Sequence, residues 1–176
     1  MSKTNWSIDP THSEIGFKVK HMMFTNVSGK FNTFEASIKN EADDFATSGI
    51  QFIADVNSID THQVDRDQHL KSADFFDVEN FPKLTFTSES IEKADTNHFV
   101  IHGLLTLKGI SKKITLDAEY SGLMQDPWGN TKIGLALSGT LNRKEFGLTW
   151  NAALETGGVL VGEEVKIIAD IQFVKI

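Results

Sequence analysis

Val165-Lys166-Ile167-Ile168-Ala169-Asp170-Ile171-Gln172-Phe173 and Glu14-Ile15-Gly16-Phe17-Lys18-Val19-Lys20 place apolar residues at every second position. Successive side chains leave a β-strand on opposite sides, so this period marks strands with one dry face and one wet face. The same alternation runs through most of the chain and predicts strands over about 13–21, 27–39, 48–58, 83–91, 98–108, 112–122, 131–141 and 163–175. The dry faces carry Ile15, Phe17, Val19 and His21 in the first strand, Phe34, Ala36 and Ile38 in the second, and Ile50, Phe52, Ala54 and Val56 in the third. Later strands contribute Leu84, Phe86 and Ser88, then Phe99, Ile101 and Gly103, then Ile114, Leu116, Ala118 and Tyr120, and finally Ile133, Leu135, Leu137 and Leu141. Gly29, Phe31 and Phe34 do not keep one parity, which predicts a bulge near Thr33. About eight such strands predict an all-β fold, an eight-stranded antiparallel barrel just wide enough inside for side chains or one small apolar ligand. A two-sheet sandwich, which leaves no cavity, is the alternative.

The alternation stops over residues 59–80. Asp60 or Thr61 can cap a helix there, Val64, Leu70 and Phe75 are the apolar anchors, and Pro82 ends the segment. One or two short helices packed over an opening of the sheet are expected. Lys108-Gly109-Ile110-Ser111 and Asp126-Pro127-Trp128-Gly129-Asn130 are turn signals. Residues 142–162 read as a long connection with a helical turn at 143–150, and Gly157-Gly158 as a flexible lip.

A chain of 176 residues fits one domain spanning 1–176 and buries roughly 70% of its unfolded surface without staples. Thirteen Phe against one Tyr suggest an oily interior, since Phe has no polar handle. The net charge of −7 speaks against nucleic acid and against an anionic membrane surface. No window approaches the roughly 18 apolar residues of a membrane span. Residues 1–7 lack the apolar core of a signal peptide, which predicts a cytoplasmic protein; a periplasmic one whose leader has been removed reads the same. The absence of cysteine excludes disulfides, thiol catalysis and thiolate metal sites.

Motifs for chemistry are weak. His98 and His102 share a strand face but stand about 13 Å apart at the strand rise, too far for one ion. His62 and His69 are two helical turns apart, with Asp65 between them. The run Asp55–Asp60 lacks the Gly of a calcium loop, and Arg66 stands where its bidentate Glu belongs. Adjacent His12 and Ser13 point to opposite faces of a strand. Asp43-Asp44 and Glu163-Glu164 are carboxylate pairs at loops or strand starts, where charges are normally solvated. No metal, cofactor or catalytic set is expected. Periodicity alone leaves open whether the aromatic interior is a ligand cavity or a packed core.

Seven segments carry more. They are residues 6–22 (Trp6-Ser7-Ile8-Asp9-Pro10-Thr11-His12-Ser13 onward), Gly29-Lys30-Phe31-Asn32-Thr33-Phe34, Ser58-Ile59-Asp60-Thr61, residues 66–77 (Arg66-Asp67-Gln68-His69-Leu70-Lys71 onward), Phe81-Pro82-Lys83-Leu84-Thr85-Phe86, Gly103-Leu104-Leu105-Thr106-Leu107-Lys108-Gly109 and Arg143-Lys144-Glu145-Phe146-Gly147-Leu148. In this order they closely resemble the YceI-like family, also called polyisoprenoid-binding proteins, over about residues 6–174. The resemblance implies a lipocalin-like barrel with helices beside its mouth. It implies an elongated apolar ligand in the barrel: a polyisoprenoid, an isoprenoid quinone or a fatty-acid-like lipid. It also implies a homodimer, and it brings no catalytic residues. On this reading the chain is a non-enzymatic binding or carrier protein. Ile15, Phe17, Val19, Phe31, Phe52, Ala54, Phe86, Ile133, Leu135 and Leu137 are expected to line the cavity, and His21, Arg66 and Trp150 to form its polar end. Small inward residues (Ala36, Ala54, Gly103, Ala118 and Ala169) are expected to leave room along the axis. A lipid- or quinone-modifying enzyme and a stress-response module with a packed core are the alternatives.

Overall fold

The computed structural model describes residues 2–155 and 157–176. In chain order they form β1 (Lys3–Ile8), β2 (Glu14–His21), β3 (Thr25–Phe31), β4 (Phe34–Glu41), β5 (Asp44–Asp55), β6 (Ile59–Asp60), the helix α1 (Val64–Lys71), β7 (Lys83–Lys93), β8 (His98–Leu107), β9 (Ile110–Tyr120), β10 (Met124–Gln125), β11 (Thr131–Asn142) and β12 (Val161–Lys175). Every pairing is antiparallel. The order β11-β9-β8-β7-β5-β4-β1-β12 closes on itself because β12 also pairs with β11. The ring therefore has eight strands and no sandwich layers. Beyond it, β2, β3 and β6 prolong β1, β4 and β5 toward one end.

The prolongation depends on two bends. The first is at Asp9-Pro10-Thr11-His12, where a 3₁₀ turn interrupts the strand. The Asp9 carboxylate accepts hydrogen bonds from the Thr11 amide (3.1 Å), the Thr11 hydroxyl (2.7 Å) and His12 Nδ1 (2.8 Å). These contacts, the Thr11 hydroxyl first, hold the Asp9 carboxyl down at about 2. The second bend is at Asn32-Thr33, between β3 and β4 and next to the expected bulge. β1 lies ahead of the first strand that the alternation predicts, because Lys3–Ile8 carries only Trp6 and Ile8 as apolar signals.

One end of the barrel is shut. Phe45, Phe99 and Tyr120 pack with ring centroids 4.7–5.6 Å apart. Beside them, buried Trp6 donates Nε1–H to Asn40 Oδ1 (3.1 Å), and Asn40 Nδ2 reaches Ser48 Oγ (3.3 Å). Burying an indole N–H is tolerable only with such a partner. At the other end α1 and residues 72–80 fold across the opening. The helix is capped by Gln63, whose side chain accepts the Arg66 amide, and not by Asp60 or Thr61. Asp60 instead accepts the His62 amide (2.9 Å). Leu70 and Phe75 anchor the segment as expected, but Val64 is 74% exposed.

Candidate functional site

Between the plug and the helix lies a cavity of about 200 Å³. Its floor is Phe173, Leu135 and Ile101, near the shut end of β12, β11 and β8. Its walls come from inward positions of β2, β3, β4, β5, β7, β8, β9, β11 and β12. Leu70, Phe75 and Phe76 roof it. A satellite cluster of Phe31, Ala54, Val56 and Ile59 packs beneath the roof, with Phe31 edge-on to Phe76 at 6.3 Å.

Ile15, Phe17, Val19, Phe31, Phe52, Phe86, Leu135 and Leu137 all line this cavity. Five other expected site residues do not. Ala54 faces inward but is sealed within the satellite cluster. Ile133 faces inward below the floor, in the packed end. His21 ends β2 at the rim, next to the hairpin tip, and contributes no surface to the cavity. The Arg66 side chain turns back on the chain: Nε donates to Thr61 Oγ1 (2.8 Å) and Nη2 to the Thr61 carbonyl (2.6 Å). Asp67 accepts the Thr61 amide (2.9 Å) from the same side. Arg66 therefore fastens the helix start to the β6 strand end. Trp150 stands on the roof, its ring edge-to-face with His69 (4.7 Å) and tilted on Phe75 (5.4 Å). His69 is in turn held by Asp74 (2.9 Å).

The small inward residues divide. Ala36 and Ala169 line the cavity, whereas Ala54 and Ala118 are buried in the packing around it and leave no room along the axis. Gly103 instead makes room for a ring, as Gly29 of β3 also does: a β-carbon at Gly103 would meet the ring of Phe86, and one at Gly29 the ring of Phe17. Part of the space that small residues release is thus filled by phenylalanine.

Arg143 is the residue that sequence reasoning missed. It is the one charged side chain among the described lining residues and is 2% exposed. Among the described residues no carboxylate lies within ion-pair distance of it, and Glu163, the carboxylate whose charge it feels, is paired with Lys144. Its Nε donates to the Gly162 carbonyl (2.7 Å), Nη2 to Val161 (3.2 Å), and Nη1 to Trp150 (2.9 Å) and Leu148. Burial pushes its pKa below the usual arginine value, and the carbonyl dipoles compensate the retained charge. The guanidinium ties the lip after β11 to the start of β12. The cavity therefore presents hydrocarbon and a cation that already commits four of its five N–H donors to backbone carbonyls. Among the described residues, no group of three or more His, Asp or Glu side chains is placed to hold a metal ion.

A closed up-and-down β-barrel with an apolar cavity under a helical cap defines a lipocalin-like architecture. The YceI-like domain model matches residues 6–173, and the chain belongs to the YceI-like family. A UPF0312 protein of Staphylococcus aureus strain USA300 is 37% identical over 171 residues, covering 97% of each chain. The Campylobacter jejuni YceI protein shares 33% identity and a TM-score of 0.69 over 91% of this chain and 95% of its own. Burkholderia cenocepacia BcnA superposes with a TM-score of 0.79 at 24% identity, covering 94% and 98% of the two chains. A polyisoprenoid binding domain from Saccharophagus degradans gives 0.72 at 14% identity, covering 96% and 97%. These last two share the fold.

Proposed function

We propose that this protein is a non-catalytic carrier that holds a long apolar amphiphile, an isoprenoid or fatty-acid-like lipid, with its tail in the barrel. The observation that carries this reading is a cavity walled by hydrocarbon, in which the one charged residue among the described lining residues, Arg143, spends four of its five N–H donors on backbone carbonyls. Such a wall offers a ligand burial and little else. Each CH2 taken from water contributes about 0.8 kcal/mol before ordering costs, so affinity grows with chain length. A titratable group aimed into the cavity, which acid–base catalysis on a lipid or quinone needs, is missing from the described lining residues. The Saccharophagus neighbour, a polyisoprenoid binding domain by name, supports the ligand class.

The cavity of about 200 Å³ is smaller than the roughly 300 Å³ at which drug-sized pockets begin. A long chain enters fully only when the roof of Leu70, Phe75 and Phe76 gives way. The roof is suited to this, because α1 is short and contains no buried residue. The test is mass spectrometry of an organic extract of the purified protein. A stoichiometric long-chain lipid is expected; a clean blank from protein purified without detergent contradicts the proposal.

A further inference from the structure

The hairpin joining β2 to β3 projects beside the cavity mouth and ends in Met22-Met23-Phe24. These are 55%, 63% and 84% exposed. Three consecutive large apolar side chains in water are unusual on a soluble domain, and contiguous exposed patches mark interaction sites. The tip is also tied to the mouth: the Met23 sulfur lies over Gly158 in the lip, where a β-carbon would collide with it. Met22 and Met23 both adopt positive φ (51° and 63°), conformations that Asn or Gly would take at less cost. The apolar side chains are kept against the local preference of the turn.

Charge on the same hairpin is segregated. Residues 15–34 contain Lys18, Lys20 and Lys30 and no carboxylate, in a chain with 24 Asp and Glu and a net charge of −7. Lys30 faces Asp60 across the β3–β6 pair. Lys18 and Lys20 point outward, and Lys18 stands directly opposite Lys166 of β12. Like charges directly opposite on a sheet face are destabilising. None of Lys18, Lys20 and Lys166 has an ion-pair partner among the described residues, and the nearby Glu163 is taken by Lys144 at 2.8 Å. An anionic partner would relieve the pair.

An apolar tip flanked by unpaired lysines is the chemistry of a membrane-surface anchor: the tip enters the interface while the ammonium groups stay among the headgroups. We infer that the β2–β3 hairpin docks this protein on an anionic lipid bilayer, with the cavity mouth beside the membrane from which its ligand is exchanged. The second half of this inference rests on the carrier reading; the docking does not. The net charge of −7 averages this basic hairpin with the acidic remainder of the surface and so does not oppose local docking.

Co-sedimentation of the full chain with vesicles of phosphatidylcholine alone, and of phosphatidylcholine with phosphatidylglycerol in equal parts, tests it at low and high salt. Binding to the anionic vesicles, weakened by salt, is expected. Lys18→Gln/Lys166→Gln should weaken it about fivefold per lysine while melting no lower than the parent, because a like-charge pair is removed. Met22→Asn/Met23→Asn/Phe24→Ser should weaken it more than tenfold, with an unchanged far-UV spectrum. Three results overturn the docking: no anionic-vesicle binding by the parent, parental binding by both variants, or a dimer broken by the tip variant without vesicle binding, which assigns the tip to a second copy. Extracting the same preparations separates the two readings. An empty cavity with retained vesicle binding overturns the carrier and supports the docking surface.

Discussion

The ring of Phe17 lies over Gly29, its direct partner across the β2–β3 pair, in the space where a β-carbon at residue 29 would stand. The glycine thus lets a large ring lie flat against the wall of the mouth, and the cavity beside it stays open. A methyl at 29 would also press on Thr61 Cγ2 at 2.9 Å. Gly29→Ala should destabilise the fold by about 1–3 kcal/mol, the usual cost of overpacking, and should reduce the extractable lipid by pushing Phe17 inward. Chemical denaturation with parallel extraction checks this. Parental stability together with parental lipid content would contradict the packing described.

Removing the guanidinium of Arg143 takes the donor from the carbonyls of Leu148, Trp150 and Gly162 and leaves the Val161 carbonyl with Asn151 Nδ2 alone. Arg143→Ala should cost about 3 kcal/mol or more, since buried acceptors would lose charge-assisted partners. Arg143→Lys should recover only part of the loss, because one ammonium cannot reach carbonyls spread around a planar fork. Limited proteolysis should cut the 148–160 lip earlier in both variants. A lip as resistant as the parent's would show that Arg143 does not hold it.

At the shut end, Asn40→Ala leaves the Trp6 indole N–H buried and unpaired. A loss of about 1–3 kcal/mol is expected. Ligand content should not change, since the cavity floor lies above this relay. A variant that loses its lipid at unchanged stability would place the relay in the binding site instead.

Acid should loosen the bend between β1 and β2. Asp9 titrates near 2 in the folded protein against an ordinary 3.8. A depressed carboxyl stabilises fully above its unfolded pKa, and that contribution is lost as pH falls from about 4 through about 2. Its side chain is 16% exposed, so after allowance for solvent screening the contribution is about 1–2 kcal/mol. Asp9→Asn should melt lower than the parent at pH 7, with the difference closing toward pH 2. A difference independent of pH would mean that the Asp9 charge does not act at the bend.

Sequence period carried the inward face well. Ile50, Phe52, Leu116, Leu135 and their neighbours face inward in the structure because strand geometry alone fixes alternation. An eight-stranded barrel is what the number of alternating segments suggests, but the eight are not all the same ones: the segment 13–21 is β2, in the prolongation, and the ring takes Lys3–Ile8 in its place. What escaped was set by contacts distant in the chain. The Lys3–Ile8 strand forms because Trp6 finds Asn40 and Ile38 on β4, not because its own pattern is strong. Arg143 was visible within the Arg143-Lys144-Glu145-Phe146-Gly147-Leu148 motif, but its role depends on carbonyls up to 19 residues later that meet only after folding. Arg66 and Trp150 look equally polar and aromatic in sequence; only packing shows that both hold the roof and neither reaches the cavity. Val64 fits the apolar face of a helix on paper, yet α1 meets the barrel through Leu70.

Calorimetric titration of the delipidated protein with isoprenoid alcohols of increasing length decides whether the barrel binds its ligand by apolar burial. A carrier should show a negative heat-capacity change on binding and an affinity that rises with each added isoprene unit until the chain fills the barrel. Affinity independent of chain length, or no binding at any length, would contradict the carrier reading.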